Sequence, residues 1–379
     1  MNYFNSYNSI SKNASPQLDS LRGLSALIVL FAHANQVLIA PYTIVFSGLA
    51  GLLSQSAVMV FFVLSGFLIG KSLTKNYCIN NGLNIDSYLK DRFNRIYPPF
   101  LFSIVLVLFL YTLAPLMFPS GTNIFFEANN LARPSFNVTI PEVLRSALFL
   151  NGFLGDTISA NGPLWSLSFE FWYYILAALL FKSSKPLYAI SSILLLIVLS
   201  ILSKSFLIHS SVWFLGLILC ILHNNNLFNI TLNKLFYSIS IIGTLLFSLV
   251  FLFFHHNMDN PLQHQETIKD FSLLLFKLSV GLLTSCFVYS ILREKITFTT
   301  MFKEASKYSY TLYIIHFPIL LFIFGVLQLT IKNSPILLLL TYIVSCFIII
   351  VFSKFSAKKV ENIKILQPHS KIGLQKKEL

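Results

Sequence analysis

Residues 18–36 read LDSLRGLSALIVLFAHANQ, a run apolar enough for a membrane helix that begins with charged residues and carries a histidine near its middle. The whole chain of 379 residues repeats the apolar pattern, with 55% hydrophobic and 11% charged residues and a mean hydropathy of +0.74. Soluble domains do not string together so many long apolar runs separated by short charged loops. The sequence therefore predicts an all-α, polytopic integral membrane protein.

Hydropathy predicts about ten transmembrane helices. The predicted spans are 24–40, 47–70, 98–118, 165–182, 187–203, 206–222, 235–255, 271–292, 309–330 and 335–353. The Asn- and Ser-rich residues 1–17 are expected to form a disordered leader. Residues 18–356 then form one membrane domain and residues 357–379 a basic tail, with no fused soluble domain.

The basic residues orient the predicted helices. The net charge is +13, and with a cytoplasmic N-terminus 21 of the 27 lysines and arginines fall on the cytoplasmic side, 5 fall on the other side and Lys277 lies within a helix. The positive-inside rule therefore predicts that both termini are cytoplasmic. Because the basic residues are scattered between apolar segments and concentrated in the tail, membrane lipid is the expected partner and nucleic acid is not.

The opening stretch places ionisable groups on one face of a predicted membrane helix. Arg22 and His33 are eleven residues apart, about 16 Å along the axis and within about 20° of one face, and Asp19 joins that face. Such groups are costly in lipid, so His33 is predicted to face the protein interior and to be functional. A neutral imidazole suits general-base chemistry. The alternative is a histidine that only hydrogen-bonds to a neighbouring helix.

A second candidate lies in NIDSYLKDRFNRIYPPF, residues 84–100, which we interpret as a cytoplasmic loop. Arg92 and Arg95 share a face at i and i+3 and, with Lys90, form a cationic site suited to phosphate. Arginines next to lipid also serve as interfacial anchors, and the sequence leaves both interpretations open.

Two further apolar stretches carry polar side chains. Glu170 and Trp165 lie in NGPLWSLSFEFWYYILAALL, residues 161–180, where the carboxylate requires hydrogen bonds from helices or from a polar substrate. The aromatic residues there also fit an interfacial belt. His316 lies in YSYTLYIIHFPIL, residues 308–320, and is compatible with packing or with a chemical role.

Small residues and cysteines complete the pattern. Gly66 and Gly70 in FFVLSGFLIG have the spacing that predicts close packing of two membrane helices. The four cysteines show no metal-ligand or disulfide spacing, so no metal site is expected.

Five stretches together resemble the acyltransferase type 3 family of integral membrane proteins, which includes bacterial O-antigen and exopolysaccharide O-acetyltransferases. They are LDSLRGLSALIVLFAH with its Arg-x10-His spacing, VFFVLSGFLIG, RFNRIYPPF with its Arg-x-x-Arg, GPLWSLSFEFWYY and YSYTLYIIHFPI. The resemblance implies transfer of an acyl group, usually acetyl from cytoplasmic acetyl-CoA, to a hydroxyl outside the cytoplasm. Acetyl-CoA is then a cosubstrate rather than a permanently bound cofactor.

The resemblance also implies roles for single residues. His33 corresponds to the catalytic base and Arg22 to its companion in the motif, while Arg92 and Arg95 would hold the coenzyme. Glu170 is placed with the catalytic group, and Trp165, His316 and Asp19 are placed with substrate binding.

The expected protein is therefore a multi-pass O-acetyltransferase of the bacterial inner membrane. Its acceptor would be a glycan or lipid-linked glycan, with a surface polysaccharide such as O-antigen favoured by family frequency alone. Two alternatives from other classes are a transporter or flippase and a polymerase for lipid-linked glycan. The first predicts broken helices or an internal repeat, and the second predicts larger outer loops with more arginines.

Overall fold

A computed structural model describes residues 6–43, 46–182, 186–227, 229–256 and 263–366. These residues form eleven α-helices and no β-strand. The helices are α1 Ala14–Ala34, α2 Ser47–Asn80, α3 Ile85–Met117, α4 Ile140–Ala147, α5 Trp165–Phe181, α6 Pro186–Leu202, α7 Lys204–Asn224, α8 Ile230–His256, α9 Gln263–Leu292, α10 Ser309–Ile331 and α11 Pro335–Val360. The all-α prediction is confirmed.

Ten of these helices coincide with the ten predicted spans. Nine spans within the described residues are long and apolar enough to cross a membrane, while α6 is shorter, with 17 residues. Successive membrane-spanning helices run in opposite directions, so the first turns of α1 and α3 lie at the same end of the bundle. We call this end the basic end. The other end, called the loop end, carries residues 118–164 and the short helix α4, which is capped by Thr139 and Glu142.

Several helices extend further at the basic end than hydropathy predicts. Helix α2 continues to Asn80. Helix α3 begins at Ile85, where the Asn84 side chain accepts a hydrogen bond from the Ser87 amide at 3.0 Å. The interpretation of residues 84–100 as a loop is therefore wrong. Hydropathy detects only the apolar part of a helix, whereas the backbone hydrogen bonds continue into the polar part.

The N-terminal residues also differ from the predicted leader. Helix α1 begins at Ala14, inside the segment expected to be disordered. The described residues that precede this helix contact other helices. The Lys71 ammonium donates to the Asn8 carbonyl oxygen at 2.7 Å, and the Asn8 side chain donates to the His223 carbonyl oxygen at 3.3 Å. Residues 1–5 of the predicted leader and 367–379 of the predicted tail lie outside the described residues.

Helices α2 and α7 cross so closely that only glycine fits on both sides. A Cβ atom added at Gly66 would lie 2.1 Å from the Trp213 carbonyl oxygen, and one added at Gly216 would lie 2.1 Å from the Val63 carbonyl oxygen. Gly70 faces Cys220, whose Cβ would be 2.8 Å from an added methyl group. The predicted close packing at Gly66 and Gly70 is confirmed, and α7 is the partner.

Gly66→Ala is expected to destabilise the protein by about 1–3 kcal/mol, because the new methyl group meets backbone rather than a movable side chain. Thermal unfolding of the detergent-solubilised protein measures the effect. Gly51→Ala is the matched control, since it lies on the same helix and an added Cβ has no atom within 4 Å. Equal unfolding temperatures for the two variants would contradict this account of the crossing.

Candidate active site

Two histidines form a hydrogen-bonded pair inside the bundle. The Nδ1 atom of His33 on α1 lies 2.7 Å from Nε2 of His316 on α10. His316 is completely buried, whereas His33 is half-buried. The α1 helix therefore presents its predicted base to a second imidazole.

Hydrogen bonding assigns the tautomers of this pair. Nδ1 of His316 lies 3.0 Å from the Leu312 carbonyl oxygen, which can only accept a hydrogen bond. The His316 proton therefore resides on Nδ1, and its Nε2 accepts a hydrogen bond from Nδ1 of His33. Nε2 of neutral His33 then carries a free lone pair. This is the arrangement in which a general base is held in its productive tautomer by a second group.

His316 was predicted to bind substrate, and the structure places it directly behind His33. Its completely buried ring has its two nitrogens directed at Leu312 and His33. The carbonyl of Leu312 is one turn earlier on α10, so helix geometry itself fixes the His316 ring. This position suits His316 to hold the His33 ring in one orientation.

A cavity of about 400 Å³ lies at the basic end of the bundle. Its wall combines four cationic side chains with hydroxyl and carboxylate groups and an apolar floor. The charged and polar lining residues are Arg22, Arg92, Arg95, Lys307, Glu170, Glu361, Ser65, Ser166, Ser306, Ser309, Tyr174, Tyr310 and Tyr313. We call this space the arginine cavity. It unites residues from five helices that are far apart in the sequence.

The two arginines of the Arg-x-x-Arg motif lie on helix α3 and line the arginine cavity. Neither takes part in an ion pair among the described residues. The Arg92 guanidinium lies 5.9 Å from the Tyr88 ring centre. Lys90, predicted to join them, does not line this cavity but lines a neighbouring groove that it shares with Arg92. Both arginine side chains line the arginine cavity, Arg92 half-buried and Arg95 exposed, so both are available to an anion there, which favours anion binding over interfacial anchoring.

Arg22 on α1 lines the arginine cavity, and its guanidinium forms an ion pair with a neighbouring residue. Its Nη2 atom lies 3.0 Å from Oδ1 of Asp19, three residues earlier on the same helix. The Asp19 side chain is 44% exposed and does not line the cavity. Asp19 thus orients Arg22, and its predicted contact with substrate has no counterpart in this arrangement.

Glu170 lines the arginine cavity, although it lies only five residues after the start of the predicted span 165–182. The Ser65 hydroxyl donates to its Oε1 at 2.9 Å and the Tyr174 hydroxyl at 2.7 Å. A turn of 3-10 helix over Ser159–Leu164 carries the chain into the bundle before α5 begins, and the buried Asn161 there donates to the Ile314 carbonyl oxygen at 2.9 Å. Glu170 consequently lies deeper than its distance from the end of the apolar run suggests.

Trp165 packs beside the cavity without lining it. Its ring centroid lies 4.7 Å from that of His209 and 6.1 Å from that of Phe62. The next residue, Ser166, does line the cavity, and its Oγ lies 2.8 Å from the Tyr313 hydroxyl. Trp165 therefore packs behind the wall, and Ser166 is the residue of the two that lines the cavity.

Tyr313 connects the arginine cavity to the histidine pair. Its side chain lines the cavity, and its ring centroid is 6.0 Å from that of His316, one turn further along α10. The hydrogen bond between Ser166 and Tyr313 lies where the cavity approaches the pair. Tyr313 is thus a cavity-lining residue that also contacts the ring of His316.

Sequence reasoning missed four groups. Ser65 lies in the quoted stretch FFVLSGFLIG, in which only the two glycines were considered, and Tyr313 lies in a quoted stretch in which only the histidine was considered. Glu361 lies just beyond α11, in the predicted tail, and accepts hydrogen bonds from the Thr311 amide and hydroxyl. Arg133 was counted only as a loop arginine, yet its guanidinium lies 5.6 Å from the ring centre of Phe317. Neither of the last two has a local sequence signal.

Comparison with known proteins identifies the family to which the chain belongs. No solved structure matches the chain. It is similar to an uncharacterized protein of Haemophilus influenzae, with 29% identity over 244 residues that cover 60% of this chain and 84% of the relative. The family model of an acyltransferase domain matches residues 15–354. A match over so much of the chain, which includes the histidine pair and every lining residue of the arginine cavity except Glu361, places the protein in the acyltransferase type 3 family.

Proposed function

We propose that the protein is a membrane O-acetyltransferase that uses acetyl-CoA on the cytoplasmic side and acetylates a hydroxyl of a surface polysaccharide, such as O-antigen, on the other side. The observation that carries the proposal is the arginine cavity, which extends from four cationic side chains to the neighbourhood of the histidine pair. The basic end is then cytoplasmic, in keeping with the positive-inside rule and with an inner-membrane location.

The cavity suits the donor in charge and in depth. Arg92, Arg95 and Lys307 offer the charged donors that coenzyme phosphates require, and the apolar wall suits a pantetheine arm. Arg22 and His33 are about 16 Å apart along α1, which is close to the reach of that arm. The acetyl thioester then arrives at Ser166 and Tyr313, and separation of their hydrogen bond gives it access to His33.

The chemistry is a direct acyl transfer. Nε2 of His33 takes the proton of the acceptor hydroxyl while the hydroxyl oxygen attacks the thioester carbonyl carbon. The tetrahedral intermediate expels the coenzyme thiolate as the carbon–sulfur bond breaks, and the His33 imidazolium returns the proton to the thiolate. His316 stabilises the imidazolium through the hydrogen bond to Nδ1 and keeps the ring in place.

Mass spectrometry of surface glycans tests the proposal. Glycans from cells that express the protein are compared with glycans from cells that lack it, and an acetyl group adds about 42 Da to the acetylated fragment. Cells producing His33→Ala serve as a control for indirect effects of an abundant membrane protein. Identical glycan spectra from all three cultures would contradict the proposed function.

A further inference from the structure

Arg133 lies on the far side of His33 from the arginine cavity. It belongs to the loop between α3 and α5, at the loop end of the bundle. Its Cζ atom is 5.6 Å from the centre of the Phe317 ring, and that ring meets the His33 ring edge-on with 5.4 Å between centroids. The Phe317 ring therefore contacts both Arg133 and the proposed base, His33. His33 is half-buried but does not line the arginine cavity, so its accessible surface lies outside that cavity.

The Arg133 side chain is held in place by neutral groups. Its Nε donates to the Ser159 carbonyl oxygen at 2.9 Å and its Nη1 to the Ala132 carbonyl oxygen at 2.6 Å. A Cβ added at Gly162 would lie 2.8 Å from Nη2, so this glycine leaves the room that the guanidinium occupies. These contacts fix the direction of the guanidinium and do not neutralise it.

No carboxylate balances this charge. Among the described residues Arg133 forms no ion pair, whereas Arg22 has Asp19 at 3.0 Å. Burial lowers the pKa of Arg133 from its ordinary value, as expected for a cation that has lost solvent without gaining a counter-charge. A partly buried cation of this kind is costly unless an anion joins it. A bidentate guanidinium is the side chain that best matches a carboxylate or a phosphate.

We propose that Arg133 binds an anionic group, a carboxylate or a phosphate, carried by the acceptor glycan next to the hydroxyl that is acetylated. This inference rests on the proposed function and narrows its acceptor to acidic glycans. The ring of Phe317 supplies an apolar surface between the bound anion and His33, so the sugar hydroxyl can reach Nε2 while the charge stays on Arg133. Specificity for the acceptor is thereby separated from recognition of the donor, which occurs in the arginine cavity.

The first test asks which charge the natural product carries. The acetylated fragment from cells that express the protein is expected to contain a carboxylate or a phosphate on the acetylated sugar or its neighbour. A neutral acetylated fragment would overturn the inference while leaving the proposed function intact. Absence of any acetylated glycan would contradict the proposed function and therefore this inference as well.

The second test uses kinetics in membrane vesicles. Glycan isolated from His33→Ala cells serves as the unacetylated acceptor, together with portions whose carboxyl groups have been reduced to alcohols or whose phosphates have been removed. Arg133→Gln is expected to raise the KM for untreated glycan about 10- to 100-fold and to leave the KM for acetyl-CoA unchanged. The treatment that removes the recognised group should impair the native protein to a similar extent and Arg133→Gln very little.

Arg145→Gln is the matched control, because Arg145 lies in the same loop region, on α4, and does not contact the histidine pair. Arg133→Lys keeps the charge and is expected to retain part of the affinity, which distinguishes lost recognition from a misfolded loop. An equal loss of kcat with all three glycan preparations would overturn the inference, since it would assign Arg133 to stabilising the transition state or the fold.

Discussion

His33→Ala is expected to lower kcat for acetyl transfer by about 10²- to 10⁴-fold, the usual contribution of a positioned general base. The free lone pair on Nε2 is lost, and no other described imidazole is in hydrogen-bond contact with His316 to replace it. Transfer of radiolabelled acetyl from acetyl-CoA to glycan in membrane vesicles measures the effect. The amount of variant in the membrane and its unfolding temperature control for folding, and near-native activity would contradict the assignment of the base.

His316→Ala separates positioning from base catalysis. The variant retains the His33 imidazole but removes the acceptor that fixes its Nδ1 proton, so kcat should fall less than in His33→Ala, with both KM values unchanged. The pH dependence of kcat should also shift, because the partner that stabilises the His33 imidazolium is gone. A rise in the acceptor KM with kcat unchanged would contradict the positioning role and support the substrate-binding role predicted for His316 from the sequence.

Arg92→Ala and Arg95→Ala are each expected to raise the KM for acetyl-CoA about 10- to 100-fold, because each removes charge-assisted hydrogen bonds to a phosphate. The effect on kcat should be small, since the phosphates lie far from the reacting carbonyl. Initial rates over a range of acetyl-CoA concentrations at saturating acceptor provide the measurement.

Lys75→Ala provides the control for a lost positive charge at the same end of the bundle. Lys75 is exposed near the end of α2 and does not line the arginine cavity. It should leave the KM for acetyl-CoA unchanged. If the two arginine variants altered only the KM for the acceptor, the arginine cavity would not be the donor site.

The helices could be predicted because the bilayer imposes a simple requirement on sequence. Each span needs an apolar run of nearly fixed length, so all ten predicted spans coincide with helices. Their polar extensions carry no such signature. The sequence therefore placed Arg92 and Arg95 in a loop, although the Asn84 cap starts α3 well before them.

The site was only partly predictable for a related reason. An ionisable residue in a membrane helix stands out in the sequence because burying it in lipid is energetically unfavourable. This criterion identified His33, Glu170 and His316. Which of these residues face each other depends on helix packing, and the hydrogen bond between His33 and His316 joins positions far apart in the chain. The depth of Glu170 depends on the 3-10 turn before α5, which hydropathy does not detect. Arg133 and Glu361 lie in non-helical segments where charge is ordinary.

Transfer across a sealed membrane is the most direct test of the account. The purified protein is reconstituted in liposomes with radiolabelled acetyl-CoA enclosed and deacetylated glycan outside, and orientation is determined by protease access to the C-terminal end. We expect label to appear on the outer glycan only when the basic end faces the lumen, and His33→Ala should abolish its appearance. Label transfer that requires donor and glycan on the same side would contradict a donor cavity and a base that serve opposite faces of the bilayer.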